Sequence, residues 1–211
     1  STPLPSRRPA SRACGLAGAR LFVGRITALG LLVDDAFITF RYADHLAQGH
    51  GLTYNPGERV EGTSSLLWTL LLAAVLKLGL PAIASAQLLG VGLGAATLWL
   101  TWDSARLLFR DSRWAPAAVV AFLATNRTFA VWSVEGMETK LFGACVVAAF
   151  WAWLRFGLSR AGPGRLPLWG ILLSLLVLTR PEGYLFAGLM LCLGLSDRRS
   201  TGGGRALLAN A

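Results

Sequence analysis

The stretch 82–105, AIASAQLLGVGLGAATLWLTWDSA, decides the fold class. Its one charged residue, Asp103, lies near its end. A helix needs about 20 mainly apolar residues to cross the hydrocarbon core of a bilayer, and this block supplies them with no strand-like alternation. Five more blocks share its Leu-, Ala- and Gly-rich character, at 15–33, 64–80, 114–132, 141–156 and 167–196. Arg180-Pro181-Glu182-Gly183 splits the last of them. Over the 211 residues, hydrophobic side chains make up 54% and charged ones 15%, with a mean hydropathy of +0.54. A soluble domain carries about 25% charged residues. Disorder and an ordinary water-soluble enzyme are therefore excluded, and the expected fold is an all-α, polytopic transmembrane helical bundle.

The net charge of +9 comes from 20 basic and 11 acidic residues. No basic stripe carries interleaved aromatics, so nucleic acid is not the expected partner. The basic clusters Arg7/Arg8/Arg12, Arg106/Arg110/Arg113, Arg155/Arg160/Arg165 and Arg198/Arg199/Arg205 instead mark cytoplasmic loops by the positive-inside rule. The polar segments 34–63, 133–140 and 180–183 are richer in acids and are expected on the other face. That assignment closes if 64–80, which is short and holds Lys77, lies on the membrane or re-enters it. Then 82–105 enters, 114–132 exits, 141–156 enters, 167–179 exits and 184–196 enters. Three regions follow: a basic cytoplasmic tail 1–14, a transmembrane module 15–196 with 34–63 as its first extracytoplasmic loop, and a cytoplasmic loop 197–211 opening a further segment. The chain reads as the N-terminal part of a longer protein, and its first block as a signal anchor. Arg20 and Arg25 interrupt that block, and a central Arg costs roughly 2.5–3.5 kcal/mol on insertion scales. Arg20 can snorkel; Arg25 calls for an acidic partner or a lipid head group. Cys14, Cys145 and Cys192 form no CxxC and no metal-ligand spacing, so neither a disulfide framework nor structural zinc is expected.

Chemistry concentrates in the acidic segments. Asp34-Asp35 stands where the first block ends. Adjacent carboxylates repel, which raises one pKa unless a cation is near, and a carboxylate so tuned can act as a general base. A solvated helix end is the plainer reading of the pair. Arg41 follows two helical turns on, able to return toward the same face, with Tyr42 beside it. Asn55-Pro56-Gly57 signals a turn, and Glu58, Arg59 and Glu61 follow at once. Glu135 and Glu138 share one face if helical, and Lys140 allows them an ordinary surface pairing. His45 and His50 lack an obvious third ligand. Asn126-Arg127-Thr128 matches a glycosylation acceptor but falls inside an expected span, which argues against that use. Arg127 in that span is placed to reach a lipid phosphate. The tryptophans mostly lie near block ends, as an interfacial belt would have them.

The run Asp34-Asp35-Ala36-Phe37-Ile38-Thr39-Phe40-Arg41-Tyr42-Ala43, followed by Gly49-His50-Gly51-Leu52, Asn55-Pro56-Gly57-Glu58-Arg59-Val60-Glu61-Gly62 and Leu67-Trp68, resembles the GT-C superfamily of polyprenyl-phosphate-dependent glycosyltransferases. Within it, the chain looks like the actinobacterial terminal arabinofuranosyltransferases and related bacterial membrane glycosyltransferases. Trp132-Ser133-Val134-Glu135-Gly136-Met137-Glu138-Thr139 and Leu178-Thr179-Arg180-Pro181-Glu182-Gly183 extend the likeness over residues 30–196. The resemblance implies a multi-pass enzyme of the bacterial inner membrane with an extracytoplasmic active site. It implies a polyprenyl-phosphate sugar donor, a cell-envelope glycan or other hydroxyl acceptor, and catalysis at Asp34 or Asp35. Arg41, Tyr42, Arg59 and Arg180 would contact donor phosphate or sugar. Glu58, Glu61, Glu135, Glu138 and Glu182 would form the acceptor or secondary acidic site. A divalent cation is an open expectation, with no ligand set assigned. The alternative is a transporter or a non-catalytic binder of lipid-linked sugar, which an inverted repeat would favour; none is found.

Overall fold

The computed structural model describes residues 34–55, 57–58, 62–156 and 166–193. The tail 1–14, the first apolar block with Arg20 and Arg25, Arg59, Glu61 and the region 197–211 lie outside the described residues. Among those described, all regular structure is helical: α1 (Ala36–Ala47), α2 (Leu66–Lys77), α3 (Ala82–Leu108), α4 (Ala115–Thr125), α5 (Arg127–Val131), α6 (Thr139–Phe156), α7 (Leu166–Thr179) and α8 (Gly183–Leu193).

The expected outer loop thus opens with a helix. One face of α1, with Ala36, Thr39, Phe40 and Ala43, is buried, while Phe37, Ile38 and Arg41 face out. Two helix ends follow directly from sequence. After α1, the Gly49 amide bonds the Leu46 carbonyl and the His50 amide bonds the His45 carbonyl. After α2, Gly79 and Leu80 repeat this pattern on Leu76 and Val75. Both glycines have positive φ, the left-handed turn that ends helices in this way, and Pro81 blocks any continuation of α2.

Among the described residues, only α3 and α6 are long and apolar enough to cross a membrane. The most apolar stretch of α3 is 39% buried and that of α6 33%. The core helix of a soluble protein would be mostly covered, whereas here large apolar side chains such as Leu88, Trp99 and Leu185 face outward. α2 has 12 residues, or about 18 Å at the helical rise, against about 30 Å of hydrocarbon. It is too short to span, and so by the same measure are α4 (Ala115–Thr125), α7 (Leu166–Thr179) and α8 (Gly183–Leu193), although their blocks read from sequence as crossing the membrane.

The 114–132 block departs from expectation: it is two helices. Asn126 leaves helical geometry (φ −70°, ψ 119°), and its side chain accepts from the Phe129 amide to start α5. The Thr125 hydroxyl bonds back to the Ala121 carbonyl, a local contact that competes with helix continuation. Asn126, Arg127 and Thr128 are exposed at this break rather than enclosed in a span.

α3 and α6 run parallel. Near the start of each, Gln87 bonds the Val134 carbonyl (3.3 Å); toward the other end, the Trp151 indole donates to Asp103 (2.8 Å). α7 returns antiparallel, with its Trp169 indole on the Ala149 carbonyl. Segments 133–138 and 180–183 therefore share one end of the bundle. Arg106 in the last turn of α3, with Arg110 and Arg113 just after it, marks the opposite end, and Arg155 lies in the last turn of α6 there.

Gly90 lets α3 touch the loop before α6: a Cβ there would collide with the Ser133 carbonyl. That obstacle is backbone and cannot swing aside. Gly90→Ala is expected to destabilise the bundle by about 1–3 kcal/mol. Gly92→Ala, which meets open space, should leave stability unchanged or slightly raised by helix propensity. Thermal unfolding in detergent micelles compares the two; equal behaviour would refute the close approach.

Candidate functional site

Asp34 and Asp35 form a turn immediately before α1 and are exposed. Their carbonyls accept the Phe37 and Ile38 amides, which starts the helix. Ala36, next in the chain, is fully buried in one cluster with Trp68, Leu141 and Leu176. The carboxylates thus emerge beside the junction of α1 with α2, α6 and α7.

Arg41 does not return to them. Its Nε donates to the Tyr54 carbonyl (2.8 Å), an Nη donates to Asn55 Oδ1 (3.2 Å), and the guanidinium lies 4.7 Å from the Tyr54 ring centroid. One helical turn on, His45 Nδ1 donates to the Thr53 carbonyl (2.9 Å). Two side chains on one face of α1 therefore hold consecutive carbonyls of the following loop. Tyr42 is 2% exposed, its ring packs near Tyr54, and its hydroxyl lies against Gly62. It packs α1 against the segment that follows it. Glu58 is exposed, and its Oε2 accepts from Asn55 Nδ2 (3.0 Å). Arg59 and Glu61 lie outside the described residues.

The second and third acidic segments converge. Glu135 and Glu138 are buried in the loop before α6, at 6% and 2% exposure. The Arg180 Nε lies 3.7 Å from Glu138 and 3.4 Å from Glu182. Both distances exceed the roughly 2.7–3.2 Å of a good hydrogen bond. The guanidinium is thus charge-balanced from its Nε side, and its side chain is 34% exposed. Tight geometry brings it there: the Gly183 amide bonds the Arg180 carbonyl, turning α7 into α8.

Lys140 is not the surface partner that its spacing suggested. It is 4% exposed, donates to the Phe129 carbonyl (2.6 Å) and sits 3.3 Å from the Phe129 ring centroid. It ties α5 to the start of α6. The signal for this was a lysine at the head of an apolar helix, where a surface charge is disfavoured both by the bilayer and by the helix dipole. The Trp68 indole donates to the Gly136 carbonyl (3.0 Å), joining α2 to the same loop. Among the described residues, no three His, Cys, Asp or Glu side chains are grouped to hold a metal ion.

Over 184 aligned residues the chain is 30% identical to the terminal β-(1→2)-arabinofuranosyltransferase of Mycobacterium tuberculosis (strain ATCC 25618 / H37Rv). The alignment takes in 80% of this chain and 29% of that enzyme, so the chain spans under a third of its relative's length. It is a distant relative of a glycosyltransferase. No protein-family profile and no solved structure matches.

Burial pushes the Glu135 carboxyl above its ordinary value of 4.5, and the Glu138 charge adds to the rise; a bond from Thr139 and the Lys140 and Arg180 charges oppose it. Between 4.5 and the higher folded value, the folded protein holds a proton that the unfolded chain has released. Stability therefore falls as pH rises through that window. Glu135→Gln should remove this fall. Unfolding temperatures of both proteins, followed from about pH 4 to about pH 8, test it; parallel curves would refute it.

Proposed function

We propose that the chain forms the catalytic membrane region of a glycosyltransferase that moves a sugar, arabinofuranose by its kinship, from a polyprenyl-phosphate donor to a hydroxyl of a cell-envelope glycan. The observation that carries this reading is the similarity, over 80% of the chain, to an enzyme named for arabinofuranosyl transfer. The geometry supports it, since Glu135, Glu138, Arg180 and Glu182 gather at one end of a bundle whose other end carries arginines. By the positive-inside rule, the arginine end is cytoplasmic and the acidic end extracytoplasmic in the bacterial inner membrane.

In this reading Asp34 or Asp35, exposed beside the α1 junction, accepts the proton of the acceptor hydroxyl. The acceptor oxygen bonds the anomeric carbon as the bond from that carbon to phosphate oxygen breaks, and the polyprenyl phosphate leaves with the electron pair. Arg180 suits that phosphate, because a guanidinium offers two parallel donors to its oxygens. The contacts to Glu138 and Glu182 are made through Nε and leave the Nη edge for the phosphate. Arg59 is a second donor-side candidate, outside the described residues. Glu58 and Glu61 belong to the acceptor side, with Glu135 as a buried secondary acid.

A positioned general base contributes about 100-fold to 10,000-fold to rate. Asp34→Asn and Asp35→Asn, made separately in the full-length protein, should include at least one variant whose sugar transfer from lipid-linked donor falls by about 100-fold or more. Undiminished transfer in both would remove the mechanism.

A further inference from the structure

We infer that Arg41 is a positioning residue that acts through Asn55 on Glu58, and that Glu58 is the carboxylate that engages the hydroxyls of the carbohydrate acceptor. This rests on the glycosyl-transfer reading and assigns Arg41 a role away from the donor phosphate.

The observation is a relay of three side chains. Arg41 donates to Asn55 Oδ1 (3.2 Å), and Asn55 Nδ2 donates to Glu58 Oε2 (3.0 Å). An amide has one accepting and one donating end. The guanidinium can only donate, so it fixes which end of Asn55 faces it and turns the NH2 toward Glu58. The flipped amide would oppose donor to donor and acceptor to carboxylate. Arg41 is itself held by the Tyr54 carbonyl and ring, and the loop by His45 on Thr53. The turn closes with the Glu58 amide on the Asn55 carbonyl (3.1 Å) and Gly57 at φ +90°.

Among the described residues Asn55 is the side-chain partner of Glu58, and it occupies only Oε2. Among the described residues no side chain bonds Oε1, and the Glu58 side chain is exposed. A carboxylate with one oxygen anchored and one free accepts hydroxyl hydrogen bonds without first losing its rotamer freedom, which lowers the cost of binding. The donor phosphate has no such place here, because the Arg41 Nε and one Nη, the edge that would grip two phosphate oxygens, are already engaged by Tyr54 and Asn55.

Asn55→Asp separates the possibilities. It keeps the loop on Arg41, now as an ion pair, but sets a second carboxylate against Glu58. The full-length protein is assayed with a polyprenyl-phosphoryl arabinofuranose donor and a synthetic arabinofuranose oligosaccharide acceptor. Glu58→Gln, Asn55→Asp and Arg41→Ala should each raise KM for acceptor about tenfold, with kcat and donor KM within about twofold of wild type, as loss of charged hydrogen bonds predicts. The Arg41→Ala/Glu58→Gln double variant should be no worse than Glu58→Gln alone, since both act on one contact. Should Arg41→Ala fail to fold, Asn55→Asp and Glu58→Gln decide the matter. A wild-type acceptor KM in Asn55→Asp, or a raised donor KM with unchanged acceptor KM in Arg41→Ala, would overturn the inference. Loss of transfer in the Asp34 or Asp35 variants, with wild-type acceptor KM in Asn55→Asp and Glu58→Gln, sinks this relay alone. Undiminished transfer in both aspartate variants sinks the glycosyl-transfer reading itself.

Discussion

The hydrogen bond from the Trp68 indole to the Gly136 carbonyl joins the two halves of the candidate site. Trp68 is 1% exposed and shares its cluster with Ala36, Leu72, Leu141 and Leu176. Truncating a buried indole of this kind costs about 3–5 kcal/mol through lost contacts and the cavity left behind. More follows than stability. α2 carries α1 with it, so this bond sets where Asp34 and Asp35 emerge relative to Glu135 and Glu138. A membrane adds to its worth, since an indole N–H without an acceptor has no water to turn to inside the bundle.

Most charges at the acidic end have a close partner. Glu138 faces Arg180, Arg180 faces Glu182, and Lys140 is held by a carbonyl and an aromatic face. Glu135 departs from this pattern, with one carboxylate oxygen buried and unpartnered among the described residues. Buried charge of this density adds little to stability, because desolvation offsets attraction. Its presence at one end of an apolar bundle points to binding or chemistry. Burial pushes the Glu135 carboxyl up.

The apolar blocks were legible because their signal is one of mass: long runs without charge leave few alternatives to helices in a bilayer. The helix α1 within the expected loop 34–63 was not read from sequence, although Gly49, Gly79 and Pro81 end α1 and α2 through local backbone geometry. Nor was the break at Asn126, because Thr125 and Asn126 compete for hydrogen bonds through side-chain conformations that hydropathy does not register. Lys140 was misjudged for a related reason. Its spacing from the glutamates suggested a surface pair, whereas packing turned it onto Phe129.

Sequence alone determined the helical class and the acid-rich and arginine-rich segments, because these depend on composition and on neighbours along the chain. The partners were decided in three dimensions. Arg41 lies two turns beyond Asp34 yet bonds Tyr54 and Asn55, and Arg180 meets a glutamate more than forty positions before it. Which carboxylate a guanidinium meets depends on how the helices pack, and packing is a sum of many weak contacts between residues far apart in the chain.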